Sequence, residues 1–297
     1  MKQKELGNFL IKSAILLLLV FSLVNCKDEN SVISTQDPYS SSDDAEAIAS
    51  SVSSETSGAI DQLSYLSDLA SEDGISSLAK TTSGLAKSSD EKVTSIDTVY
   101  DGTNQKWVIT ISRERTISER NFTSNYYHQY TAQYLKNGIP QKYFVVSGDT
   151  ANTIKFNIVE GTGTVQSNRI NQNLENTSGS WMATITESNS MAVAGSYSRS
   201  SNSTFTTTNA TRNYDYSLSL NFSALSVPLN YGDELWLYLA GSMSGQFTGE
   251  YSATVDGEQY QKSINKSFAI AFSKKLVYDI TLDGEDFSAD AETGELQ

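Results

Sequence analysis

The chain has 297 residues, with 38% apolar, 10% aromatic and 19% charged side chains, and a formal net charge of −14. One cysteine and one histidine exclude a disulfide scaffold, a multi-cysteine metal site and most histidine chemistry. The acidic balance excludes a general nucleic-acid binder, which needs a basic surface, so no nucleic-acid partner and no cofactor are expected.

Lys2, Lys4 and Lys12 form a basic leader, followed by an apolar run from Ala14 to Val24 interrupted only by Ser22. That run is too short to span a bilayer, which takes about 20 apolar residues, and it has the length of a signal-peptide core. It ends in Leu23-Val24-Asn25-Cys26. This stretch resembles the lipobox of bacterial lipoproteins, in which signal peptidase II cuts before a cysteine that is then acylated. Leu23 matches the usual residue three places before the cysteine, whereas Asn25 departs from the usual Gly, Ala or Ser. The resemblance implies a signal peptide over 1–25 and lipidation at Cys26 by palmitate-like chains. The protein would then be held to the outer membrane through that lipid. Two or more acyl chains anchor stably where one is marginal. Lys27-Asp28-Glu29 is similar to the surface-export signal of Bacteroidota lipoproteins, which implies display at the cell surface. The periplasmic face of the outer membrane is the alternative.

Residues 26–92 read as an acidic, Ser-rich tether: from Lys27 to Lys92 there are thirteen acids against four lysines, and neither Trp nor Phe. Within it, Ile48, Val52, Ala59, Leu63, Leu66 and Ala70 fall at helical spacing and predict a helix over 43–70, with Asp43 and Asp44 favouring its start. This helix is either a lid or coiled-coil stalk, or a nascent helix in a disordered tether. Ile75 to Ala86 is a second, shorter candidate.

From Val93 the period changes to two. Trp107, Ile109 and Ile111 share a face, as do Tyr126, His128, Tyr130 and Tyr134; Ile154, Phe156 and Ile158; and Tyr214, Tyr216, Leu218, Leu220 and Phe222. Met243 to Val255 alternates strictly and runs into Asp256-Gly257, a favoured hairpin turn. Asn137-Gly138 marks another turn. Residues 93–284 are therefore expected to form an all-β antiparallel meander of eight to eleven long, curled strands, as a barrel, half-barrel or sandwich. Residues 285–297 read as an acidic C-terminal tail, which argues against a transmembrane barrel.

Catalytic signatures are weak. His128 has no nucleophile at a recognised spacing, and no G-x-S-x-G elbow exists. The acids of 279–292 lack the spacing of a calcium loop. The N-x-S/T sequons number six, about what chance gives in so Ser- and Asn-rich a chain. The aromatic cluster Tyr126, Tyr127, Tyr130 and Tyr134, with Trp236 and Tyr238, offers one ligand hypothesis: rings facing a glycan or an apolar ligand. Three functions compete on these grounds. The leading expectation is a non-enzymatic binding or scaffold module. The alternatives are a half-barrel carrier of a lipid or other apolar molecule, and a glycan-binding or glycan-hydrolysing surface protein. A carrier needs a continuous apolar cavity with the helix as its cover.

Overall fold

A computed structural model describes residues 39–297, apart from 72, 77, 79–90, 188, 207–210, 230–234, 236–237, 256 and 274. Two helices come first, α1 (Ser41–Val52) and α2 (Ala59–Leu69). The one helix expected over 43–70 is therefore two. Ser53 is extended and Ser57 takes a left-handed φ of +56°, which breaks the run. Gly58 then lies so close to the end of α1 that a Cβ there would sit 2.5 Å from the Val52 carbonyl carbon. Only glycine permits that approach. The start of α1 is fixed by Asp43, whose carboxylate accepts the Ser40 backbone N–H at 3.2 Å. Of the second candidate helix, 79–86 lies outside the described residues.

The rest is the antiparallel meander the alternation predicts. Its strands are β1 (Glu91–Asp101), β2 (Lys106–Ile117), β3 (Phe122–Lys136), β4 (Ile139–Gln141), β5 (Val145–Val146), β6 (Asp149–Thr150), β7 (Thr153–Gln166), β8 (Ile170–Glu187), β9 (Ser190–Thr206), β10 (Thr211–Pro228), β11 (Gly241–Val255), β12 (Glu258–Phe272), β13 (Val277–Leu282) and β14 (Glu285–Asp290). Eleven of them pair in the order β1-β2-β3-β7-β8-β9-β10-β11-β12-β13-β14, with β4 added to β3 and β5–β6 a separate small hairpin. The two ends of this path do not pair, so the sheet is open. Asn137 and Gly138, with φ of +53° and +83°, make the β3–β4 turn expected from their sequence.

The sheet curls because its inner face is wrapped on the helices. Eleven strands laid flat would be about 48 Å wide, while helices of this length reach only about 18 Å. Yet α2 bonds to β2 through Asp61 and Arg113, and the loop after α1 bonds to residue 291 beyond β14 through the Ser54 amide. Register shifts at Gln129/Tyr130, Leu174/Asn176 and Phe222/Leu225 supply local bends. Ile48, Ala49, Val52, Leu63, Leu66 and Leu69 are fully buried against Ile109, Phe156, Leu220, Phe247 and Ile280.

Residues 39–70 are thus an interior element and not part of a solvated tether. The Ser and Ala that read as tether composition are small enough to let helix and sheet approach: Ala45, Ala47, Ser50, Ser51 and Ser53 are all fully buried. The C-terminal segment also departs from a free acidic tail. Residues 285–290 form β14, Ala289 and Ala291 are buried, and Ala289 bridges to Leu296.

Candidate functional site

The concave face is not uniformly apolar. A belt of polar side chains crosses it at the level of the 53–62 segment. Arg113 of β2 holds Asp61 of α2 through two parallel bonds of 3.0 Å, and its Nη1 also donates to the Tyr65 hydroxyl at 3.2 Å. Ser57 donates to Asp61 at 3.0 Å, Gln62 donates to Ser57 at 3.0 Å, and Tyr130 donates to the Gln62 carbonyl at 2.7 Å. Arg199 of β9 is fully buried and spans the gap to the loop after α1, donating to the Thr56 carbonyl at 2.9 Å and to Gln172 Oε1 at 2.6 Å. The Gln172 amide in turn donates to Tyr216 and Ser203, both at 3.0 Å.

His128 lies inside this belt, stacked on Tyr130 with ring centroids 5.6 Å apart and 3.4 Å from the Ser57 hydroxyl. Burial pushes its imidazole down to about 3, with Arg113 and Arg199 adding to the effect. It is therefore neutral at physiological pH. A Ser, a His and an Asp meet here, but Asp61 bonds the serine and not the imidazole, so no carboxylate orients the ring as a catalytic base requires. Ser57 is fully buried. As it stands, the cluster fixes the helices to the sheet.

A second charged zone surrounds the start of α1. Asp43 pairs with Arg212 at 2.8 Å, Asp44 with Lys266 at 3.1 Å, and Glu46 with Arg169. Lys266 also reaches Asp283 at 2.9 Å. Burial raises all three helix carboxyls above the usual range, opposed by these cations. The Tyr39 hydroxyl, half-buried and bonded to Asp44, is pushed up to about 12.

Three cavities are prominent among the described residues. One, of about 280 Å³, opens at the rim between the 53–58 loop and the β7–β8 turn, with Phe122, Val165 and Ile170 below and Glu55, Arg169 and Glu295 around it. The other two, of about 260 and 280 Å³, are grooves on the convex face, lined by side chains such as Ser198, Ser217 and Gln246 in one and Asn202, Asn213 and Gln261 in the other. None of these three is a continuous apolar cavity of the size a lipid carrier needs, and α1 and α2 pack against the inner face of the sheet. Nor does any group of three His, Cys, Asp or Glu among the described residues fit a metal ion.

The expected ligand-facing aromatics divide. Tyr126, Tyr130 and Tyr134 do share one face of β3, but each is 1% exposed, and their hydroxyls bond Glu55 O, Gln62 Oε1 and Leu69 O. They bind the chain's own helices. Tyr238 is 42% exposed, with Lys275 Nζ 5.6 Å from its ring centre. Trp236, Cys26, Lys27, Asp28 and Glu29 lie outside the described residues. Residue type alone does not single out Asp61, Arg113, Arg199 and Gln172. For the three on strands the signal is a charged or amide side chain on the apolar phase, as in Ile109-x-Ile111-x-Arg113, Ile170-x-Gln172-x-Leu174 and Tyr197-x-Arg199. No family model, curated protein or solved structure matches this chain.

Proposed function

We propose that this chain is a non-enzymatic binding or scaffold module, anchored by lipid at Cys26 to the outer membrane and displayed at the cell surface. One observation carries the non-enzymatic part: the concave face, where a half-barrel would hold substrate or cargo, is packed by the chain's own helices, with His128 and Ser57 buried there. The surfaces left for a partner are the convex face, the rim and the exposed loops. The Leu23-Val24-Asn25-Cys26 motif supports the anchor, and no helix of the described residues is long and apolar enough to cross a membrane.

Protease shaving of intact cells, with a blot for the β domain, tests the location. Loss of the domain is expected, whereas protection would move it to the periplasmic face. Metabolic palmitate labelling tests the anchor: label should vanish in Cys26→Ser, and an unlabelled wild type would refute it. A fluorescent fatty acid added to the purified protein should not be taken up. Saturable uptake would replace this reading with that of a carrier whose helices swing out.

A further inference from the structure

Tyr100 is the last residue but one of β1, Trp107 the second of β2, and the two are direct cross-strand partners near the β1–β2 turn. Their ring centroids are 5.2 Å apart, and Tyr143, in the β4–β5 connection, adds a third ring 5.9 Å from Trp107. The ammonium of Lys142 sits over all three, with Nζ 5.0 Å from the Tyr100 centre, 5.7 Å from Trp107 and 5.2 Å from Tyr143. All three distances fall within the roughly 6 Å over which an aromatic face attracts a cation. The Trp107 indole N–H donates to the Lys142 carbonyl at 2.6 Å, so the tryptophan supplies a ring face and also pins the backbone that carries the lysine. Lys142 has no ion pair among the described residues. Among them, the three ring faces are what its charge meets.

This arrangement is an aromatic cage filled from within. Lys142 and Tyr143 are exposed, Tyr143 to 49%. A lysine side chain is flexible and its ammonium is strongly hydrated, so it leaves a cage of rings at small cost. A quaternary ammonium is less hydrated and presents methyl groups to the rings, which makes it the better occupant of the same space. We propose that Tyr100, Trp107 and Tyr143 form a binding site for the alkylammonium group of an external ligand, with Lys142 as its displaceable resident occupant. This stands on the three rings and their bound ammonium, independently of where the protein resides.

The test is to follow the indole N–H resonance of Trp107, assigned by its loss in Trp107→Phe, while the full-length protein is titrated with tetramethylammonium chloride against sodium chloride at equal ionic strength. A saturable shift specific to tetramethylammonium is expected, about tenfold tighter in Lys142→Ala, where the competitor is gone, and lost in Tyr143→Ala. Tyr143 is exposed, so that variant keeps the test open if Trp107 variants fold poorly. A response equal to that of sodium chloride would overturn the proposal, and so would a Lys142→Ala protein that binds no tighter than wild type. Co-sedimentation with phosphatidylcholine vesicles, compared with phosphatidylglycerol vesicles, identifies the source of the group: selective binding to the former assigns a lipid headgroup, and tetramethylammonium binding without it assigns a soluble amine.

Discussion

Ser198 and Arg199 are neighbours on β9 and live under different rules. Ser198 faces outward and shares a 2.9 Å bond with Ser178 on β8, one of several such pairs on the convex face, with Ser180–Asn157, Thr204–Asn213 and Gln246–Ser267. Water competes for each of these groups, so each bond adds little. Arg199 faces inward, fully buried, and ties β9 to the loop after α1. There no water replaces a lost partner, and a broken bond leaves a stranded charge. Polarity alone does not tell which of the two situations a residue occupies. The curl of the sheet does.

The sharpest way to break this contrast is to titrate the inner face. The folded His128 value, about 3, lies below the ordinary imidazole value near 6.5. The unfolded chain therefore takes up a proton first as pH falls. The stability that neutral His128 contributes is complete above pH 6.5 and is lost as pH drops toward 3. At about 1.4 kcal/mol per pH unit, the loss approaches ~5 kcal/mol. Asp43, Asp44 and Glu46 run the other way: their raised folded values favour the folded state at low pH, and that contribution is lost as pH rises through them. Urea unfolding of wild type and His128→Gln across pH 3 to 7 should therefore show wild type losing more stability on the acid side. Parallel curves would show that the imidazole is not held neutral.

Next in size is the Arg113–Asp61 pair. Arg113→Ala strands a buried carboxylate and should cost about 3–5 kcal/mol in a denaturant midpoint assay. A loss below 1 kcal/mol would mean that water reaches the belt. Gly161→Ala comes third. Its Cβ would fall 2.5 Å from His128 Cδ2 and 2.9 Å from Thr177 Cβ, so overpacking should lower stability by roughly 1–3 kcal/mol. The smallest effect belongs outside. Ser198→Ala, which removes the pair with Ser178, should change stability by no more than about 0.5 kcal/mol. A cost rivalling that of Gly161→Ala would show that the outer hydroxyls act as a network.

The strands were legible in the sequence because a half-buried strand leaves a record every second residue. Tyr214 to Phe222 and Met243 to Val255 show it plainly, and the turns at Asn137-Gly138 and before Gly257 mark where strands reverse. The apolar stripe of the helices was legible for the same reason at its own period. Where the stripe would dock was not. Asp43 and Asp44 read only as favouring the start of a helix, because the cations that pair with them and with Glu46, namely Arg212, Lys266 and Arg169, lie more than 120 residues away in the chain. Tyr126, Tyr130 and Tyr134 read as a ligand platform because a one-dimensional pattern gives the face of a strand and not what covers it. Lys142 over its three rings escaped notice for a related cause, since the rings come from three separate segments.

The position of α1 and α2 also sets an order of events for the growing chain. They are made before any strand of the sheet, yet they become enclosed only when the final strands arrive. Tyr278 bonds the Ala49 carbonyl across 229 residues, and the Ser54 amide waits for residue 291. Contacts of that separation close slowly, because the loop entropy is spent before any of them forms. Until those strands are made, α1 and α2 lack part of the surface that encloses them. The contacts of Tyr278 and Ala291 complete the enclosure of the helices.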